Sequence, residues 1–191
     1  MKPKSVRILI ITGSVLIIGA LALAGFNVWT DMQASVKSSE ILNQLDFGET
    51  SVTAVMDAGD NELQETEAGG IWCIGALEIP SLSIQLPVAE DWDEHTSRIA
   101  PCRYSGSPGG GDLIIAGHNY RSHFAKLRQI SIGADVYFTD LSGSTYAYRA
   151  VAVETVDGKD IEGMQSGDWD LTLFTCNFSG QARIAVRCNS D

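Results

Sequence analysis

Cys176, His118 and Arg183 are the residues in this 191-residue chain whose types and settings suit covalent chemistry. Cys176 closes the apolar run LTLFTC and precedes the polar stretch NFSGQ, where a thiol is held by a strand yet meets solvent. A nucleophilic thiol also needs a cation or an imidazole nearby, because the thiolate is the reactive form. Three histidines are available. His95 sits in the charged stretch EDWDEH and reads as solvated, and His123 opens a helical stretch as a cap or surface residue. His118 ends the run LIIAG and is followed by Asn119 and Tyr120, so it is the strand-end partner for a strand-end cysteine. Taken singly, either residue would be read as structural. Arg183 and Arg187 lie in a final strand, where a period of two puts them on one face. The connection Asn177 to Ala182 suits a hairpin that sets Arg183 beside Cys176, although an outward charge on an edge strand is an equally ordinary reading.

The remaining thiols read differently. Cys73 lies among Ile71, Trp72 and Ile74 as a buried apolar residue, the common state of free cysteine. Cys102 and Cys188 flank loops or strand ends and form a candidate disulfide pair in an oxidising compartment. Metal-binding spacing is absent, with neither CxxC nor HxxxH. GSPGGGD lacks the Lys-Ser/Thr ending of a phosphate loop.

The elements that must position these groups begin with an anchor. Residues 8–29, ILIITGSVLIIGALALAGFNVW, carry no charge. As a helix they span about 33 Å, against about 30 Å of bilayer hydrocarbon. Lys2, Lys4 and Arg7 precede the run, which predicts a cytoplasmic segment 1–7 and everything after Trp29 outside. A cleaved signal peptide is the rival reading. Its apolar region is usually about 7–15 residues, and ALALAG (20–25) lies inside the run, so an uncleaved, single-pass anchor is expected.

Beyond the anchor, ten basic residues face all 24 acids. That balance excludes nucleic acid as a partner, since no Lys/Arg cluster exists to release counterions. Residues 30–70 read as an acidic stalk or linker, part helical and part flexible. Between 31 and 70 there are nine acids, one Lys and no Pro, and DAGDNELQETEAGG (57–70) is too polar for a core. Residues 71–191 form the folded domain. Short β-branched and aromatic runs (71–79, 83–90, 112–118, 135–140, 145–157, 171–177, 183–188) recur between turn signals, which predicts an all-β sandwich or barrel. HFAKLRQI (123–130) and IEGMQ (161–165) read as short inserted helices.

Together these features resemble the sortases, membrane-anchored cysteine transpeptidases of Gram-positive bacteria. The resemblance rests on the short basic start, anchor and stalk, then IGALEIPSLSIQLPV, APCRYSGS, GHN, TLFTC and an Arg just beyond. It implies a closed eight-stranded sortase-type β-barrel with short inserted helices. It implies Cys176 as nucleophile, His118 as the acid and base, Arg183 as the group holding the substrate backbone and developing oxyanion, and Thr175 as a substrate-binding candidate. The substrates implied are secreted proteins with a C-terminal LPXTG-like sorting signal, and the acceptor is an amine, usually from a peptidoglycan precursor. A short β-to-Cys-strand segment argues against the class B type. The lack of a second membrane helix after Asp191 and of a DPW or DPF lid motif argues against class C, leaving a class A- or D-like enzyme. No cofactor is expected. Some members bind calcium near the substrate loop, but Asp157, Asp160 and Glu162 form no clear site pattern. A hydrolytic cysteine peptidase, or an inactive anchored peptide-binding module, would use the same groove.

Overall fold

The structure is a computed structural model that describes residues 3–48, 63–165, 167–177 and 179–191. The chain divides into two units, residues 1–33 and Ala34–Asp191. A first helix, α1 (Pro3–Gln44), carries the whole uncharged run. In the first unit its large apolar side chains, from Ile8 to Trp29, are exposed. From Arg7 onward the helix contains an 18-residue window with a mean hydropathy of 2.5 and is long and apolar enough to cross a membrane.

The second unit is a barrel. Its elements are β1 (Thr66–Ala68), β2 (Ile71–Ile79), β3 (Ile84–Ala89), β4 (Cys102–Ser105), β5 (Leu113–Gly117), β6 (Asp135–Asp140), β7 (Thr145–Asp157), α2 (Ile161–Gln165), β8 (Leu171–Cys176) and β9 (Ala182–Ser190). Strands run in the order β2-β3-β4-β5-β8-β9-β7-β6, and β6 pairs back onto β2, closing eight strands into a ring. Closure leaves no free edge around the ring. Alternation fills the interior: Leu77, Ile79, Ile115, Phe138, Leu171, Leu173 and Val186 point into one core. Short β1 is additional to the ring and pairs with the start of β2 through Gly69 and Gly70, whose φ values of 58° and 84° suit a two-residue hairpin turn.

The compact unit starts earlier than residue 71. Ala34, Ser38, Ile41 and Leu45 are buried, and their spacing places them on one helical stripe. Ile41 and Leu45 join a second core with Ile71, Cys73, Ala89, Ile99, Ala100, Cys102 and Leu141. The Ser38 hydroxyl donates to the Ile99 carbonyl and lies 3.2 Å from His123 Nε2. Both ends of the expected stalk, 34–45 and 66–68, therefore pack on the barrel. Residues 49–62, part of the segment read as flexible, lie outside the described residues. His123 does stand at the N-cap position of the short helix Phe124–Gln129, though without a side-chain capping bond, and it is not at the surface: it is fully buried against this segment. β1 and β4 escape the periodicity reading because TEA and CRYS are short and mostly polar.

Candidate active site

β8 and its neighbours bring the three predicted residues to one groove. Cys176 is the Cα partner of Arg183 across the antiparallel β8–β9 pair, as the hairpin reading required. On the other side β5 runs parallel to β8, with Gly117 opposite Thr175, so His118 emerges beside the cysteine. Cys176, His118, Arg183 and Thr175 all line a cavity of about 230 Å³. Its other walls are Trp92, Tyr104, Phe174, Ile161 and Met164, with Asp157 and Asp160.

The strand period explains this placement. Along β8, Leu171 and Leu173 enter the barrel core, while Thr172, Phe174 and Cys176 alternate onto the other face. Along β9, Val186 and Cys188 point inward, and Arg183, Ala185 and Arg187 share the outer face. One-turn α2 covers that outer face, with Met164 packed on Val156 and Ala185 and bordered by Phe174.

The four thiols are all free, and their environments separate them. Cys73, Cys102 and Cys188 are fully buried, and burial pushes their pKa up to about 11, 12 and 12. They are held as neutral, inert thiols. Cys102 and Cys188 belong to different cores and are unpaired with each other. Cys176 alone is half-buried and faces the cavity.

His118 is fixed from several sides. Its Nε2 lies 3.3 Å from the buried Ser97 hydroxyl, and its ring meets Trp92 at 5.7 Å and Tyr120 at 5.1 Å between centroids. Its pKa is lowered from 6.5, first by burial and then by the charge of Arg98, so the neutral imidazole dominates at pH 7. Gly117 is required just before it, since a Cβ there would lie 2.6 Å from the Phe124 ring. His95 is exposed, as expected.

The two arginines differ sharply. Arg183 lines the cavity, with Nη1 donating to the Gly180 carbonyl at 3.2 Å. Arg187 is 2% exposed and is bonded to Glu154, Thr172 and the carbonyls of Gly163 and Met164. Thr175 is buried, and its hydroxyl has no hydrogen-bond partner among the described residues. Among those residues no group of three or more His, Cys, Asp or Glu could hold a metal ion. Asp157 and Asp160 instead accept backbone N–H groups from Lys159 and Gly163.

Sequence reasoning missed Trp92, Tyr104, Ser97 and Met164. A lone Trp within EDWDEH was the available signal for the first. The others acquire their places only when distant strands meet.

A closed eight-stranded barrel of this kind is typical of the sortases. Solved structures of similar fold include sortase C1 from Streptococcus agalactiae (27% identity, TM-score 0.56, covering 62% of this chain and 67% of that one). A Clostridium perfringens sortase D5 transpeptidase has 18% identity and a TM-score of 0.57, covering 68% and 82%. Listeria monocytogenes sortase A has 18% identity and a TM-score of 0.55, covering 62% and 87%. The family model for the sortase domain matches residues 77–191, and the chain belongs to the sortase family. It is 28% identical over 123 residues to sortase A of Bacillus anthracis, a match covering 61% of this chain and 55% of that relative's length. These relatives span types A, C and D, with which a class A- or D-like assignment is compatible.

Proposed function

We propose that the protein is a membrane-anchored cysteine transpeptidase acting on an LPXTG-like sorting signal. The observation that carries this reading is the meeting of Cys176, His118 and Arg183 at one cavity, fixed by the pairings Cys176–Arg183 and Gly117–Thr175. His118, neutral at rest, takes the Cys176 proton, and the resulting thiolate attacks the carbonyl carbon of the Thr–Gly bond. Arg183 donates hydrogen bonds to the oxyanion that forms. The C–N bond then breaks, and protonated His118 gives its proton to the departing amine, leaving a thioester. An acceptor amine attacks that thioester, loses its proton to His118 and releases Cys176. Splitting one amide exchange into two acyl transfers lowers each barrier.

The apolar walls Trp92, Phe174, Ile161 and Met164 suit the leucine and proline of the signal. Thr175, one residue before the nucleophile, also lines this cavity and is the further substrate-binding candidate. The basic start and apolar helix support a cytoplasmic N-terminus with the barrel outside the cell, where secreted clients and a peptidoglycan-type amine are found. No cofactor takes part in this scheme.

The test is incubation of the full chain in detergent with a library of LPXTG-like peptides, with and without an oligoglycine or diaminopimelate-type amine. Mass spectrometry should show cleavage after Thr and joining to the amine, both lost in Cys176→Ala. Cleavage with water as sole acceptor at saturating amine would make the protein a peptidase. No cleavage of any peptide, with Cys176 unreactive toward a vinyl sulfone peptide, would make it a binding module.

A further inference from the structure

Arg187 has no role in the scheme above, yet it is the most deeply buried charged side chain of the barrel. It stands on β9, opposite Thr172 of β8 and Ala152 of β7, four residues (about 13 Å of strand) beyond Arg183 on the same outer face. Its guanidinium points away from solvent and under α2. Nη2 donates to the Gly163 carbonyl at 2.6 Å, and Nη1 to the Met164 carbonyl at 2.7 Å and the Thr172 hydroxyl at 3.1 Å. Nε donates to Glu154 Oε2 at 3.1 Å, and this half-exposed carboxylate balances the charge.

The need for such a group follows from the size of α2. A five-residue helix cannot satisfy its own last carbonyls, and a single turn does not hold itself in water. Asp160 serves its start by accepting the Gly163 N–H at 2.8 Å. Arg187 serves its end, and the planar fork of guanidinium reaches two successive carbonyls that a lysine point charge could not bridge equally. The same turn supplies Ile161 and Met164, with Asp160 beside them, to the cavity that holds Cys176.

We infer that Arg187 is a positioning residue: it pins α2 to the β8–β9 floor and so sets the groove wall that a peptide substrate meets. The inference takes the substrate from the transpeptidase reading, but the pinning itself does not depend on that reading. It predicts that loosening this contact moves substrate binding and leaves the reacting atoms intact.

The experiment compares wild type, Arg187→Lys and Thr172→Val as full chains in detergent. Amide hydrogen exchange at residues 162–165 should speed up about tenfold in Arg187→Lys, as local opening becomes easier. KM for the cleaved peptide should rise about tenfold while kcat stays within about threefold, the pattern of lost binding without lost chemistry. Labelling of Cys176 by a small methanethiosulfonate should keep its wild-type rate, since that reagent needs no α2 wall. Should Arg187→Lys fail to fold, Thr172→Val removes one contact and should show the same pattern at about threefold amplitude. Unchanged exchange at 162–165 in a folded variant overturns the inference. So does a fall in kcat at constant KM, which would place Arg187 among the groups acting on the reacting atoms. If wild type cleaves no peptide, the transpeptidase reading fails, and the exchange measurement still decides the pinning.

Discussion

Replacing Ile41 with alanine should destabilise the barrel, although Ile41 belongs to the helix that carries the long uncharged apolar run. Its side chain is 2% exposed and sits in a core with Ile71, Cys73, Ile99 and Leu141. The fit is close: a Cβ on Gly69, in the β1–β2 turn, would fall 2.6 Å from Ile41 Cγ1. Truncating a buried Ile to Ala costs about 2–5 kcal/mol, and a site at the margin of the second core sits near 3 kcal/mol. At about 2–4 °C per kcal/mol for a unit of this size, Tm should fall by about 6–12 °C. Val36, one turn away and 62% exposed, provides the control. Val36→Ala should shift Tm by less than about 2 °C, as surface changes stay within about 0.5 kcal/mol. Differential scanning calorimetry of the three full chains in one detergent makes the comparison. If Ile41→Ala moves Tm no further than Val36→Ala, residues 34–45 are outside the cooperative unit and the packing argument is wrong.

Two further perturbations reach the groove. Arg98→Gln removes the cation that, after burial, depresses the His118 pKa, so the His118 titration followed by NMR should move upward. A depressed native pKa means that the unfolded chain binds more protons near 6.5, so wild-type stability rises with pH there and is lost as pH falls through the native value. Arg98→Gln should flatten that slope at low salt, where an exposed charge is least screened. An unmoved or lowered titration would count against Arg98 as a cause. Gly117→Ala puts a methyl group against the Phe124 ring, with contacts at 2.6–3.0 Å. Overpacking should cost about 1–3 kcal/mol, and displacing the adjacent His118 should lower kcat/KM by about 10- to 100-fold. Adding Phe124→Leu should restore part of both losses, and no recovery would show that this contact is not why glycine stands there.

Much of this was legible because the barrel strands are short β-branched and aromatic runs set between turn signals. The runs 71–79, 135–140 and 145–157 match β2, β6 and β7, and IEGMQ matches α2. Cys176, His118 and Arg183 were legible as strand-end residues, since a hairpin and a parallel neighbour bring strand ends together. The docked segment 34–45 was not. Two of its four buried positions are Ala34 and Ser38, small residues that carry no hydrophobic signal, and Val36, the more apolar residue nearby, faces solvent. Gly69-Gly70 did carry a hairpin signal for β1, masked by the acidic residues around it. His123 was misplaced for the same reason as the segment: the helix that buries it lies 85 residues away in sequence.

The pair Arg183 and Arg187 shows where local reading stops. Both occupy the same face of β9, and period-two reasoning gives them equal standing beside β8. What separates them is the cover. At Arg187 the turn of α2 lies over the strand, excludes water and offers carbonyls, so the guanidinium is spent on structure. Beyond Ala185 that cover gives way to the cavity, and Arg183 faces the space beside Cys176. A buried charge with four protein acceptors cannot also turn to an oxyanion without abandoning them, a cost of several kcal/mol. The proposed assignment of Arg183 to the oxyanion and Arg187 to the wall rests on one physical difference, the availability of the guanidinium. Arg183→Lys should accordingly lower kcat about 100-fold or more with KM little changed, the loss found when an oxyanion donor is removed, whereas Arg187→Lys should act on KM. A kcat loss confined to position 187 would reverse the assignment.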